Sequence, residues 1–286
     1  MTRNDLTSSQ LITEYCSYLK QKNLAANTIA AYHFSVNMFF SIYPELTMNN
    51  LKDFRAALIN QFLPATVNQR LHAMNHFLRF LEDRHPTLHP ELVRFRLKAL
   101  KLPRNSFQNS IISTEDCSLL EERLQVDQQQ FWYFVVRFLV TTGVRVSELV
   151  QIKVEHLKRG YLDLYSKGGK IRRIFITDSL CAEALEWCRE REQTSGLIFI
   201  HPDGKPVTTR GIHAQLTYFA ARYGIDPATA YPHAFRHRFA KNFLDRCGDI
   251  SLLADLMGHE SIETTRIYLT KSSQEQQKLL DEIVTW

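Results

Sequence analysis

At 286 residues the chain is long enough for two ordinary domains, and 44% hydrophobic against 23% charged residues is a globular rather than a disordered balance. The formal charge of +5 is compatible with a polyanionic partner but too small to establish one; residues 1–100 carry +4 of it, from 11 Lys/Arg less 7 Asp/Glu. Five cysteines without a C-x-x-C pair argue against a disulfide framework or a thiolate zinc cage and for a reducing, cytoplasmic setting. Asp5, Glu14 and Lys20 interrupt any signal-peptide core, and the most apolar run, 131–144, contains Arg137 and is too short to span a bilayer, so no membrane is expected.

In residues 9–22, Leu11, Ile12, Tyr15, Tyr18 and Leu19 fall at helical spacing. Asn27 reads as the N-cap of a second helix with Ile29, Tyr32, Val36, Phe39 and Phe40 on one face. Leu51, Phe54, Leu58 and Phe62 mark a third helix. Pro64 starts a fourth, carrying Val67, Leu71, Met74, Phe77, Leu78 and Leu81. These four amphipathic helices predict a small helical domain over residues 1–98, punctuated by Pro86 and Pro90, with room for a short helix at 91–99. Its Lys20, Lys22, Arg55, Asn68, Arg70, Arg79 and Arg84, taken singly, read as a solvated face.

Residues 99–110 are polar, basic and broken by Pro103, and read as a linker to a second domain over 111–286. Ser113 caps a helix through Leu124, with Asp116 three residues on. The run 131–141 is apolar nearly all round and predicts the buried centre of that domain. Gly143 ends it, and Arg145 opens a new helix with Glu148 at i+3. That pair reads either as a surface ion pair or as a carboxylate-oriented guanidinium able to clamp a phosphate. Alternating residues at 161–165 and 171–176 flank the turn SKGGK and predict a β-hairpin, with a third strand near 156–158. Its tip presents Lys167 and Lys170, with Arg172 and Arg173 behind. Asp178 or Ser179 caps a helix through Cys188, and Thr208 or Thr209 opens another at 210–223 with Arg210, His213, Gln215 and Arg222 on its polar side. After Pro232, HAFRHRFAKNFL places His233 and Arg236 one turn apart. Residues 250–257 form a short helix closed by Gly258, directly before His259, and Tyr268 follows nine residues on. The predicted class is mainly α with a small antiparallel β-sheet.

Cationic and proton-carrying groups beside a tyrosine oxygen suit attack on a phosphodiester. A phenol with a pKa near 10 is mostly protonated at neutral pH, so cations must stabilise the developing phenolate. The sequence has no acidic cluster for Mg²⁺ and no phosphate-binding loop for ATP, so no metal and no cofactor are expected.

TGVRVSEL, SKGGK, HAFRH, LMGHES and TRIYL, in that order from Thr142 onward, closely resemble the motifs of the tyrosine recombinases, the Xer recombinases and phage-type integrases. T-I-x-x-Y from Thr28 and T-V-N-Q-R from Thr66 look like that family's helical, SAM-like core-binding domain. The resemblance implies that Tyr268 attacks DNA to give a 3′-phosphotyrosyl link and a free 5′-hydroxyl. It implies that Arg145 and Arg236 hold the non-bridging oxygens and that His259 donates to the same phosphate. Lys167 would be the general acid for the leaving oxygen, with Lys170 competing for the role. His233 would bond at the phosphate or assist proton transfer, Glu148 would position Arg145, and His237 would be a supporting imidazole. Arg238 stands where relatives often have a small residue. The same resemblance implies a C-shaped clamp on a double-stranded recombination site and a tetramer on two DNA sites, alone or with a second recombinase, passing through a Holliday junction. Leu279, Leu280, Ile283 and Val284 would then dock on a neighbouring subunit. Resolution, integration and inversion all stay open as outcomes. A type IB topoisomerase shares the site chemistry without exchanging partners, and a DNA-binding accessory protein with a decayed site is the non-enzymatic rival.

Overall fold

The computed structural model describes residues 7–101, 111–165, 171–259, 261–269 and 280–284. Apolar side chains three and four apart build its first unit, residues 1–105. Helices α1 (Ser8–Gln21), α2 (Ala26–Ile42), α3 (Met48–Gln61) and α4 (Pro64–Arg84) turn Tyr15, Leu19, Phe39, Phe54, Leu58, Leu71, Phe77 and Phe80 into one core. Each such side chain contributes roughly 1.5–3 kcal/mol by leaving water. Thr7 and Gln10 close α1 with a reciprocal capping box, whereas α2 begins without a side-chain cap. Asn27, expected as that cap, lies inside the first turn; Ala25 occupies the N-cap position.

The expected helix at 91–99 is only a 3-10 turn, Pro90–Leu92. Beyond it Arg94 takes a φ of 62°, and the chain runs without helical structure along α4. The side chain of Asn75 accepts from the Leu97 amide (2.8 Å) and donates to the Leu97 carbonyl (2.9 Å). Asn68 does the same for Leu100 (2.7 and 3.0 Å). A helix would have kept those peptide groups for itself.

The second unit, residues 106–286, is organised around α6 (Gln130–Thr142), whose Val135, Val136, Phe138 and Leu139 are fully buried. Packed on it are α5 (Thr114–Val126), capped by Ser113, α9 (Asp178–Glu190), capped by Thr177, and α11 (Pro232–Cys247). Between them come the short α7 (Val146–Leu149) and α8 (Val154–Arg159), then β1 (Tyr161–Tyr165) and β2 (Ile171–Phe175). The two strands pair antiparallel, Tyr161 opposite Phe175 and Tyr165 opposite Ile171. The third strand expected near 156–158 is instead α8, which Gly160 ends in the left-handed region. The remaining helices are α10 (Thr209–Arg222), α12 (Ile250–Met257) and α13 (Ile262–Arg266), followed by a 3-10 turn Ile267–Leu269. A small second cluster, Ala240, Leu253 and Met257 with Phe239, Phe243, Leu244 and Tyr268, seats α12 and that final turn on α11. The hairpin tip with Lys167 and Lys170, most of the expected linker, and Leu279 lie outside the described residues. Among the described residues, no helix is long and apolar enough to cross a membrane.

Candidate active site

The site starts at a glycine. Gly143 ends α6 with φ +60°, and a Cβ there would lie 2.3 Å from a ring carbon of Phe239 on α11. Only a bare Cα lets the two helices approach so closely, and the approach places the Gly143 carbonyl to accept from Arg236 Nη1.

Arg145 then stands at the N-cap of α7, and Glu148 turns back on it. Glu148 Oε2 accepts from the Arg145 backbone amide and Oε1 from Arg145 Nη1, both at 2.8 Å. Oε1 also accepts from Arg172 Nη1 at 2.6 Å, so one carboxylate orients two guanidiniums. Burial pushes the Glu148 carboxyl up, but the Arg145 amide bond and the charge of Arg172 outweigh it and hold the group below its ordinary range. Arg172 further donates from Nε and Nη2 to the Leu256 carbonyl (3.1 and 3.0 Å), tying β2 to the end of α12. There Gly258, with φ +60°, leaves space that a Cβ would take from Arg172 Cδ, at 2.1 Å. The Gly258 carbonyl accepts from Arg145 Nη2 at 3.3 Å.

Arg236 is only 3% exposed. Its Nη2 donates to the Met257 carbonyl and lies 3.3 Å from His259 Nε2. A guanidinium can only donate, so Nε2 of His259 accepts, and a neutral His259 carries its proton on Nδ1. That nitrogen lies 2.7 Å from the Oγ1 of the fully buried Thr265 and donates to it. Burial and then the charges of Arg236, Arg145 and Arg172 push His259 down to about 4. Burial and the neighbouring Arg145 and Arg172 pull Arg236 down to about 9, still cationic at neutral pH. Three guanidiniums, two of them held by the Glu148 carboxylate and the third by the Gly143 and Met257 carbonyls, leave the cluster net positive, which suits it to a phosphate.

Tyr268, on the 3-10 turn, is half-buried with its hydroxyl 2.7 Å from His237 Nδ1. Burial raises its phenol, while Arg236 and Arg145 act in the opposite direction without cancelling the rise. His233 sits at the rim, exposed on one side, its ring 6.5 Å from that of His237. Partial desolvation, then Arg236 and Arg145, push its imidazole down.

The structure therefore brings Arg145, Glu148, Arg236 and His259 into one bonded cluster, with Tyr268 joined to the same helix through His237. Two further members were not singled out from sequence. In sequence Arg172 reads only as a cation behind the hairpin tip, although the strand period puts it on the same face as the buried Ile174. Thr265 carries no such signal, being one threonine among several polar residues.

Over residues 117–275, more than half of the chain, the sequence matches the model of the phage integrase family. The chain belongs to that family. It is a Xer-like tyrosine recombinase, 27% identical to tyrosine recombinase XerC of Lactobacillus delbrueckii subsp. bulgaricus over 91% of this chain and 94% of that one. It is also 27% identical to tyrosine recombinase XerA of Pyrococcus furiosus, over 99% of each chain. Among solved structures, XerH site-specific recombinase bound to its difH substrate matches 98% of this chain and 85% of its own, with TM-score 0.71 at 20% identity. A lambda integrase dimer bound to a core site matches with TM-score 0.70 at 17% identity, over 94% of this chain and 98% of its own. At such identities the structures speak for the fold: a mostly helical recombinase with a small antiparallel sheet.

Proposed function

We propose that this recombinase cuts and rejoins duplex DNA at a specific site, with Tyr268 as the nucleophile. The observation that carries the reading is the Tyr268 hydroxyl on α11's His237, one residue from buried Arg236, with Arg236 and Arg145 both acting on the phenol. The scissile phosphate fits between the forks of Arg145 and Arg236, whose charge offsets the negative charge that builds on phosphorus in the transition state. Attack by the phenolate oxygen yields a 3′-phosphotyrosyl bond and releases the 5′-oxygen, protonated by Lys167. The covalent bond keeps the energy of the cleaved linkage, so rejoining requires neither metal nor ATP. A phosphate on Arg236 draws that guanidinium's Nη2 away from His259 and stabilises a proton on its Nε2, turning His259 from acceptor to donor. His233, at the rim, bonds at the same phosphate.

Strand exchange through a Holliday junction in a tetramer on two DNA sites completes the reading, in the cytoplasm where the DNA lies. Supporting it are Leu280 and Ile283, 55% and 57% exposed, an apolar surface suited to a neighbouring subunit. A nicked suicide substrate bearing the recognition site tests the chemistry. Wild type traps a covalent adduct and Tyr268→Phe does not; an undiminished adduct in the variant would rule the nucleophile out. Exchange between two sites, rather than relaxation of supercoils, separates the recombinase from a topoisomerase.

A further inference from the structure

Attack by Tyr268 requires the phenol proton to go somewhere, and Lys167 acts on the opposite, leaving-group side. We infer that His237 takes the Tyr268 proton during cleavage and returns it during religation. This rests on Tyr268 being the nucleophile.

Three observations converge on His237. The Tyr268 oxygen lies 2.7 Å from its Nδ1, within reach for direct transfer. The hydroxyl is not placed by that bond alone, because Tyr268 packs against the buried cluster of Ala240, Leu253 and Met257 and its ring meets the His237 ring at 5.4 Å and 52°. The site is therefore organised by packing before DNA arrives. Around the imidazole lie His233 and Arg236 on its own helix, Tyr268 from the 3-10 turn, and His259 from the loop beyond α12. Burial, then His233 and Arg236, push His237 down to about 4, so it is neutral at physiological pH and has a lone pair to offer. With the ring proton on Nε2, Nδ1 accepts from the phenol, which burial keeps protonated.

The step balances. As the tyrosine O–P bond forms, the phenol O–H breaks and an Nδ1–H bond forms. The P–O5′ bond breaks, and the 5′-oxygen takes its proton from the general acid. An anionic phosphoryl group beside the ring stabilises a proton on it, raising the basicity of His237 as the transition state is reached. In religation the 5′-hydroxyl attacks and returns its proton to the deprotonated general acid, the tyrosine P–O bond breaks, and the phenolate recovers the proton from the imidazolium. No proton, metal or oxidant is consumed overall.

The test is His237→Asn, whose amide can still hydrogen-bond the phenol near the Nδ1 position but cannot carry a proton. On the suicide substrate its adduct should form about 100-fold more slowly, with DNA affinity and melting temperature unchanged. Placing 3,5-difluorotyrosine at position 268 lowers the phenol's demand for a base and should recover most of that loss. A wild-type rate in His237→Asn, or a loss that the fluorinated tyrosine leaves untouched, overturns the inference. A measurement on the intact protein does not depend on the variant folding: single-turnover cleavage should plateau above about pH 7. A rise of about tenfold per pH unit through pH 8.5 means hydroxide removes the proton, and His237 is then not the base. Absence of any adduct in wild type would instead remove Tyr268 as the nucleophile.

Discussion

Glu148 is the residue on which two arginines depend. Its Oε1 is shared by Arg145 and Arg172, and its side chain is 11% exposed, as is that of Arg172. Replacing it with alanine leaves a buried guanidinium without its carboxylate, and should cost about 3 kcal/mol in urea unfolding. The folded-state pKa lies below the unfolded value of 4.5. This contribution is therefore fully present above that unfolded value and lost as pH falls through the folded one. Wild type and Glu148→Gln should accordingly converge in stability on acidification. Arg172→Lys keeps the charge but loses the fork that bonds Glu148 and Leu256 together; DNA should still bind, with cleavage slowed by about tenfold or more. Thr265→Val removes the acceptor for the His259 Nδ1 proton and should cost about 1–3 kcal/mol. Arg145, Arg236, His259 and Tyr268 were legible in sequence because they stand in motifs whose order is distinctive. Thr265 was not, since its meaning comes from a ring six residues earlier that only the fold brings back to it.

At the scale of elements, periodicity recovered the long helices because each buries one continuous face. It missed where peptide groups are spent on side chains. The Asn68 and Asn75 clamps hold residues 97–100 against α4 with four hydrogen bonds, and Arg55 adds another to the Lys98 carbonyl at 2.9 Å. No local pattern announces that a segment will pair with asparagines seven residues apart on a helix. Asn75→Ala should cost about 2 kcal/mol, two bonds at about 1 kcal/mol each. The specific check is amide exchange: the Leu97 amide should lose protection, while Leu100, held by Asn68, retains it. Gly143 acts at the same scale, since the α6–α11 contact that carries the Gly143–Arg236 bond exists only without a Cβ. The expected third strand is a helix for a local reason. Residues 156–158 are short enough to fit either period, and what decides for helix is Glu155 in the first turn and Gly160 at its end.

For the whole molecule, the proposed assembly makes a demand that the single chain does not meet. Leu280, Ile283 and Val284 expose 55%, 57% and 44% of their surface, an apolar cluster that a lone subunit leaves in water. Covering it on a neighbour contributes roughly 25 cal/mol per Å² buried, repeated at every junction of a closed ring. Because that contribution arises only between protomers, its loss should separate two properties that a catalytic defect would not. Deleting residues 275–286, or combining Leu280→Asp with Ile283→Asp, should leave affinity for one isolated site unchanged in gel shifts. Assembly of two sites into one complex, and recombination with it, should fall by at least about tenfold, equivalent to 1.4 kcal/mol across the assembly. Arg145→Ala should do the reverse, pairing sites normally while cleaving slowly. Recombination at the wild-type rate by the truncated chain would show that the exposed segment plays no part in joining subunits.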